Sequence, residues 1–304
     1  MTDDDAIRQL ATLIEAEQRP LPPQAQEVSA AIRARHGDAV QAMIFYGSAL
    51  RDLDDPKKML DFYVIVDRYG AIYRNPLLRL ATWLLPPGVH FLQIETETGK
   101  RLRCKYAVVS QTAFRRRVSG GLESMLWARF VQPAMIEAEG PEQHRMIVEV
   151  FAHACLHFYR QSAPLVGSTT DPTEVWVRGL AESYRTELRP ETPDARARDI
   201  VDRFPDRYVA FSAILAETAH ASATGLQTTL CKLKWLLRRI LGKPRGAARV
   251  LKGALTFDGG LDYLLEKVGS HSGVEIPISD RARRHPILFA PVIAFRLYRA
   301  GAFR

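Results

Sequence analysis

The stretch MIFYGSALRDLDDPKKMLDFYVIVD, Met43 to Asp67, sets two apolar runs on either side of a polar turn. Gln41 to Tyr46 and Leu60 to Val66 have the length and apolar content of short buried strands. The turn opens with Gly47 and Ser48, and the second run carries an acid, Asp61, near its start. Glycine lets a backbone approach an anion closely, and the N–H groups of a turn leaving a strand point at it. Serine adds a hydroxyl. A carboxylate opposite suits Mg²⁺, a hard cation that takes oxygen ligands and keeps part of its shell for water and phosphate. The stretch reads either as ordinary β-turn-β punctuation or as a phosphate cradle facing a metal ligand.

Outward from this stretch, helices are predicted over Asp5–Glu17 and Gln24–His36, separated by Pro20, Pro22 and Pro23. Val89–Ile94 and Arg101–Val109 read as a hairpin turning at Thr98-Gly99, and Ser110 is placed to cap a following helix. Beyond Gly140 the pattern becomes helical. Glu142–Gln161 and Pro172–Leu188 precede a charged, proline-punctuated linker, Arg189–Arg198, and helices resume over Asp199–Ala221 and Thr228–Leu241. The expectation is an α+β fold in three parts. A mixed sheet with helices spans 1–140, its N-terminal helices within 5–36; an α-rich second domain spans 141–225, and a basic amphipathic C-terminal region spans 226–304.

A chain of 304 residues with 47% hydrophobic and 25% charged residues buries a substantial core, so disorder is not the default. Cys104, Cys155 and Cys231 are scattered and lack CxxC spacing, which indicates neither a disulfide framework nor a zinc knuckle. No run of about 18 apolar residues occurs. Leu77–Leu85 is broken by Arg79 and closed by Pro86-Pro87, and Ile287–Phe295 stops at Arg296. The acidic start, Asp3 to Asp5, reads against a basic leader, so a cytoplasmic location is expected. The net charge of +8 is uneven: Thr228–Arg304 carries 15 Lys or Arg against 5 Asp or Glu, leaving the rest slightly acidic.

A strand, a Gly-Ser turn and a second strand headed by an acid is the layout of polymerase-β-type nucleotidyltransferases, where in-line transfer depends on charge neutralisation and positioning. Four segments narrow the likeness. "FYGSAL" with "MLDFYVIVD", "LRCKYAVVS" (Leu102–Ser110), "LWARFVQPAMI" (Leu126–Ile136) and "SYRTELR" (Ser183–Arg189) follow one another in order. They resemble the YGSG and M-I-D-F, K-Y-G-V-I-S, G-R-L-x-K-P and S-Y-x-G-D-F-R segments of the mitochondrial-type phosphatidate cytidylyltransferases. These are soluble CDP-diacylglycerol synthases of cardiolipin synthesis, also called translocator assembly and maintenance proteins. The likeness spans about residues 40 to 190, with Ala49, Gln132 and Glu187 standing where that family usually has Gly, Lys and Asp.

The resemblance implies CTP and phosphatidic acid as substrates, CDP-diacylglycerol and pyrophosphate as products, and Mg²⁺ as cofactor. It implies nucleotide binding by Tyr46, Gly47, Ser48, Lys105 and Arg189, and catalysis by Asp61, Glu187 and Lys105. The residues themselves pose one problem. A second metal-binding acid two positions after Asp61 would share its face, but Tyr63 stands there, and Asp67 is roughly 20 Å along the strand. Glu187 is the first candidate for the second ligand, with Glu95 or Glu97 in reserve. Lys105, Arg129 and Arg189 have the charge for phosphate, or equally for solvent at an edge. His153 and His157 share a helix face with Cys155 between them, a spacing read as core or half-buried histidines rather than a zinc site.

Leu230, Leu233, Leu237, Ile240 and Leu241 recur at helical spacing among Lys232, Lys234, Arg238, Arg239 and Lys243. Such a helix either packs on a core or lies on an anionic membrane. Arg281 to Arg284 precede a second apolar segment, long enough to lie on a bilayer and too short to cross it. Lys234, Arg238, Arg239, Phe289 and Phe295 are the expected membrane contacts, on the inner face of the membrane. Two other classes stay open: a nucleotidyltransferase acting on RNA or a small molecule, and a non-catalytic membrane- or partner-binding module. Little aromatic interleaving among the basic residues argues against nucleic acid.

Overall fold

Both apolar runs of the opening stretch are strands in the computed structural model, which describes residues 1–51, 59–96, 99–167, 170–188, 191–218, 225–253, 277, 279–284, 289, 292, 296 and 299. Strand β1 spans Val40–Tyr46 and β2 spans Leu60–Val66, antiparallel with Tyr46 opposite Asp61. The hairpin follows as β3, Gly88–Glu95, and β4, Arg101–Ser110. β4 lies parallel to β2, and a short β5, Met135–Ala138, closes the far edge, giving the order β3-β4-β2-β1-β5. The chain is therefore α+β, built on a five-stranded mixed sheet.

Alternation along the strands divides the core in two. Met43, Phe45, Phe62, Val64, Tyr106 and Val108 point to one side, where helix α2 (Pro23–His36) supplies Ala25, Val28 and Ile32. Ile44, Tyr46, Tyr63, Ile65, Ala107 and Val109 point to the other. That side is covered by α1 (Asp3–Ala16) and the long α6 (Pro141–Val166), and its buried cluster continues into α7 (Glu174–Arg185), α8 (Pro193–Asp202), α9 (Pro205–Ala216) and α10 (Gly225–Gly253). Thr2 caps α1 in a reciprocal capping box with Asp5, and the Ser110 hydroxyl accepts from Ala113 N–H at the start of α4 (Gln111–Val118), which the short α5 (Ser124–Trp127) follows.

Four features depart from the sequence reading. Residues 76–84 form a helix, α3 (Pro76–Leu84), with Pro76 in its first turn and the Asn75 side chain accepting from Leu77 N–H. The linker expected over Arg189–Arg198 is helical from Pro193, because proline at a first helical position starts a helix rather than blocking it. The helix expected over Asp199–Ala221 is two helices, α8 and α9, divided before Pro205. The helix expected to stop at Leu241 runs to Gly253 with Pro244 inside it. Among the described residues no helix is long and apolar enough to cross a membrane.

The α2 side of the sheet carries a histidine–tyrosine stack. Tyr73 Oη lies 2.8 Å from His90 Nε2, His36 Nε2 lies 2.9 Å from Tyr106 Oη, and the His90 and Tyr106 rings stack at 5.0 Å. Burial, with the nearby His36, Arg35 and Lys252, pushes His90 down to about 3; burial also lowers His36, and it takes His157 down to about 4. His90 and His157 stay neutral in the fold well below pH 6.5 and charge when it opens. Their stabilisation is present above pH about 6.5 and is lost as pH falls towards 4, at up to about 1.4 kcal/mol per pH unit for each. Urea midpoints are expected to fall between pH 7 and pH 5, and His90→Gln, which stays polar without titrating, is expected to flatten that fall. Equal slopes in the variant and the wild type would remove His90 from the account.

Candidate active site

The strand register brings several of the candidate side chains into one row. Directly paired residues share a face, so Tyr46 on β1, Asp61 on β2, Lys105 on β4 and Phe91 on β3 form one line across the sheet, on the α6 side. The next row inward, Ile44, Tyr63, Ala107 and Val89, is largely apolar core. Asp61 and Lys105 thus stand side by side at the rim of a buried surface, both half-buried. The parallel β2–β4 pairing, with α3 and β3 between the two strands in sequence, brings them together.

Gly47 follows Tyr46 at that rim. Its φ is +92°, a region that favours glycine, and a Cβ there would lie 3.1 Å from Asp61 Oδ2. The turn backbone is therefore set next to the Asp61 carboxylate, with room for no side chain between them. Ser48 begins a short 3-10 turn, Ser48–Arg51, and is half-buried. Ala49 is buried on the α2 side, where its methyl joins the core.

Arg129 and Glu187 reach the same place from outside the sheet. The Arg129 guanidinium lies 5.2 Å from the Tyr46 ring centroid and 3.8 Å from Glu187 Oε2. Burial alone would lower the Arg129 pKa, yet Tyr46, Tyr63, Glu187 and Tyr184 raise it overall; Glu187 is the carboxylate among them. Arg129 is thus a fixed positive charge. The Tyr63 phenol is pushed upward by burial, with Arg129 and Arg249 opposing and Glu187 and Asp61 reinforcing the shift. Four charged groups, on β2, the turn after α7, α10 and the segment before β5, therefore lie within electrostatic reach of one buried hydroxyl.

Glu187 is held by its neighbours. Thr186 Oγ1 lies 3.0 Å from Ser124 Oγ and donates to the Ser183 carbonyl at 2.7 Å. α10 passes against this turn: a Cβ on Gly242 would lie 2.5 Å from the Thr186 carbonyl oxygen, so only glycine permits the approach. Between α7, the start of α8 and α10 lies a cleft of about 530 Å³, lined by Tyr184, Arg185, Glu187, Arg239, Ile240 and Lys243 among others. Glu187 faces both the Arg129 pair and this cleft.

Glu95 is exposed, opposite Arg101 and four residues past the Phe91 that faces Lys105, about 13 Å along the strand. Glu97, Arg189 and Phe295 fall outside the described residues. His157 packs edge-on to Trp127 at 5.1 Å, and His153 Nε2 lies 4.0 Å from Glu149. Lys234 is exposed and Phe289 half-buried. Arg238, expected at a membrane, is buried: its guanidinium lies against Trp127 and Trp235 and donates to Gln161 Oε1 at 2.8 Å, so two indole faces and an amide replace water. Arg239 is ion-paired to Glu182. Arg249 and the cleft residues Arg185 and Lys243 were not singled out for the site; Arg249 lies beyond Pro244, where the sequence suggested that helix had ended.

Asp61 and Glu187 are oxygen donors of the kind Mg²⁺ takes. Among the described residues no group of three or more His, Cys, Asp or Glu stands ready to hold a metal. A Mg²⁺ that shares its shell with a triphosphate takes one or two protein carboxylates, fewer than such a group of three. Compared with protein-family models and with curated proteins, the chain matches none.

Proposed function

We propose that the chain is a Mg²⁺-dependent cytidylyltransferase on a polymerase-β-type nucleotidyltransferase fold, moving the cytidylyl group of CTP onto phosphatidic acid at a membrane surface. The observation that carries the reading is the close approach of the Gly47 turn to the Asp61 carboxylate, in the same row as Lys105. A triphosphate seated on the Gly47-Ser48 turn would lie against Asp61, with the ammonium of Lys105 beside it. Bound there, Mg²⁺ would be held by Asp61 and Glu187 and would neutralise charge on the triphosphate.

The acceptor phosphate has a place in the cleft beyond Glu187. Arg185, Arg239 and Lys243 offer positive charge, and Ile240 leads to the exposed leucines of α10. A phosphate monoester carrying an apolar tail matches that gradient from charge to hydrocarbon. Its oxygen attacks the α-phosphorus of CTP, a new P–O bond forms, and the bond to the β-phosphate oxygen breaks as pyrophosphate leaves. The monoester's second ionisation lies near pH 6, so its oxygen is largely anionic at neutral pH and needs little general-base help. Arg129, fixed over Tyr46 and against Glu187, keeps positive charge beside the reacting groups.

The test is pyrophosphate release from each of the four NTPs, with and without phosphatidic acid vesicles. Release is expected with CTP and phosphatidic acid together, accompanied by a CDP-lipid product. Release that follows an added RNA instead of the lipid would assign a different acceptor. No release from folded protein with any NTP would leave the chain a binding module.

A further inference from the structure

Helix α3 is built inside out. Leu77, Leu80, Trp83 and Leu84 are each more than half exposed, while Thr82 is fully buried. At about 100° per residue, Leu77, Leu80 and Leu84 fall within about 60° of one another and Trp83 about 60° further round. A soluble helix of this composition would turn that face to the core. From Arg68 to Ile94 there is no Asp or Glu, while Arg68, Arg74 and Arg79 are exposed.

The C-terminal end of α3 is tied to α10. Lys252 Nζ donates to the carbonyls of Leu85 at 2.5 Å and Pro87 at 2.7 Å, and Arg249 Nε donates to that of Pro86 at 2.9 Å. α10 has the same character over a longer span. Leu226, Leu230, Leu233, Leu237 and Ile240 are exposed in one stripe, opposite the buried Cys231 and Trp235, and Gly225–Gly253 contains eight Lys or Arg and no acid.

We infer that α3 is a bilayer-contacting element that sinks Leu77, Leu80, Trp83 and Leu84 into the headgroup boundary of an anionic membrane. A second copy of the chain is a poor occupant. Two acid-free, arginine-bearing faces repel, and four side chains on a nine-residue helix fall short of the roughly 800 Å² per partner that a stable interface buries. A bilayer has neither requirement. Each apolar side chain partitions on its own, anionic headgroups attract the flanking arginines, and tryptophan favours the headgroup level. The inference rests on the proposed attachment to a lipid surface and is independent of the chemistry at Asp61.

The chain carries its own reporter. Of its four tryptophans, Trp127, Trp176 and Trp235 are at most 1% exposed and Trp83 is 63% exposed. Full-length protein is mixed, without nucleotide, with phosphatidylcholine vesicles containing phosphatidylglycerol, some bearing brominated acyl chains. Trp83 fluorescence is expected to shift to the blue and to be quenched by bromine, and both signals are expected to vanish in Trp83→Phe while the protein still pellets. Leu80→Glu is expected to weaken vesicle binding about tenfold or more. Pelleting without quenching overturns the inference, because another surface then holds the lipid. A blue shift that grows with protein concentration in the absence of vesicles overturns it in favour of a second copy. Pyrophosphate release on phosphatidic acid vesicles without quenching would refute this inference and keep the cytidylyl reading; quenching without release would do the reverse.

Discussion

Asp61→Asn is expected to lower CTP-dependent pyrophosphate release by about a thousand-fold or more and to leave the melting temperature within a few degrees of wild type. The substitution keeps size and a hydrogen-bonding oxygen, so the packing of Tyr46 and Tyr63 beside it is unchanged. What it removes is a negative charge in a place crowded with positive ones. Lys105 is its neighbour in the sheet, and Arg129 and Arg249 lie within electrostatic reach of the same Tyr63 hydroxyl. A triphosphate brings its own negative charge to that surface, so nucleotide binding survives better than turnover. Lys105→Met should act oppositely, raising the KM for CTP while lowering kcat about a hundred-fold or less. Initial rates over a range of CTP and Mg²⁺, with a thermal melt on each variant, separate these outcomes. A turnover rate for Asp61→Asn within tenfold of wild type would remove Asp61 from metal binding and with it the proposed chemistry.

The parts of this site differ in how far they can be read from the chain. β1 and β2 are legible because each is a short apolar run bounded by turn residues, and β2 spans Leu60–Val66 as expected. The Gly47 turn is legible from its glycine. The pairing of Asp61 with Lys105 is not, because it depends on β4 entering parallel to β2 after an excursion through α3 and β3. Four-residue β5 is too short to show a period. α3 was hidden by its reversed amphipathicity: apolar residues that ordinarily mark a core face point outward, and Thr82 points in. In α10, the pattern read from the sequence ends at Leu241 and sets Arg238 at a membrane. The structure instead runs Gly242 against the Thr186 carbonyl and lays Arg238 on two indoles, contacts that only the tertiary fold provides.

Glu182→Gln is expected to be the most destabilising conservative change in the helical half, costing about 3–5 kcal/mol. Glu182 is 2% exposed, and Arg178, Arg185 and Arg239 all turn their guanidinium groups to it, at 3.3 Å and 3.1 Å for the first two. Three cations around one buried carboxylate hold only while that carboxylate is charged. Glutamine keeps the shape but leaves Arg239 without the ion pair shown for it and Arg185 with Asp194 alone. The same carboxylate joins α7 to α10 and fixes two arginines of the cleft beside Glu187. The variant is therefore expected to melt roughly 10 °C lower and, at a temperature where it is folded, to raise the KM for phosphatidic acid more than that for CTP. Glu123→Gln supplies the comparison, since Glu123 also meets three arginines, Arg117, Arg245 and Arg249, but is 14% exposed and less deeply desolvated. Its loss should be smaller, because water relieves part of the unpaired charge. A Glu182→Gln protein melting within 2 °C of wild type would mean that the arginines find other partners, and that the cleft's charge is set by the arginines without that carboxylate.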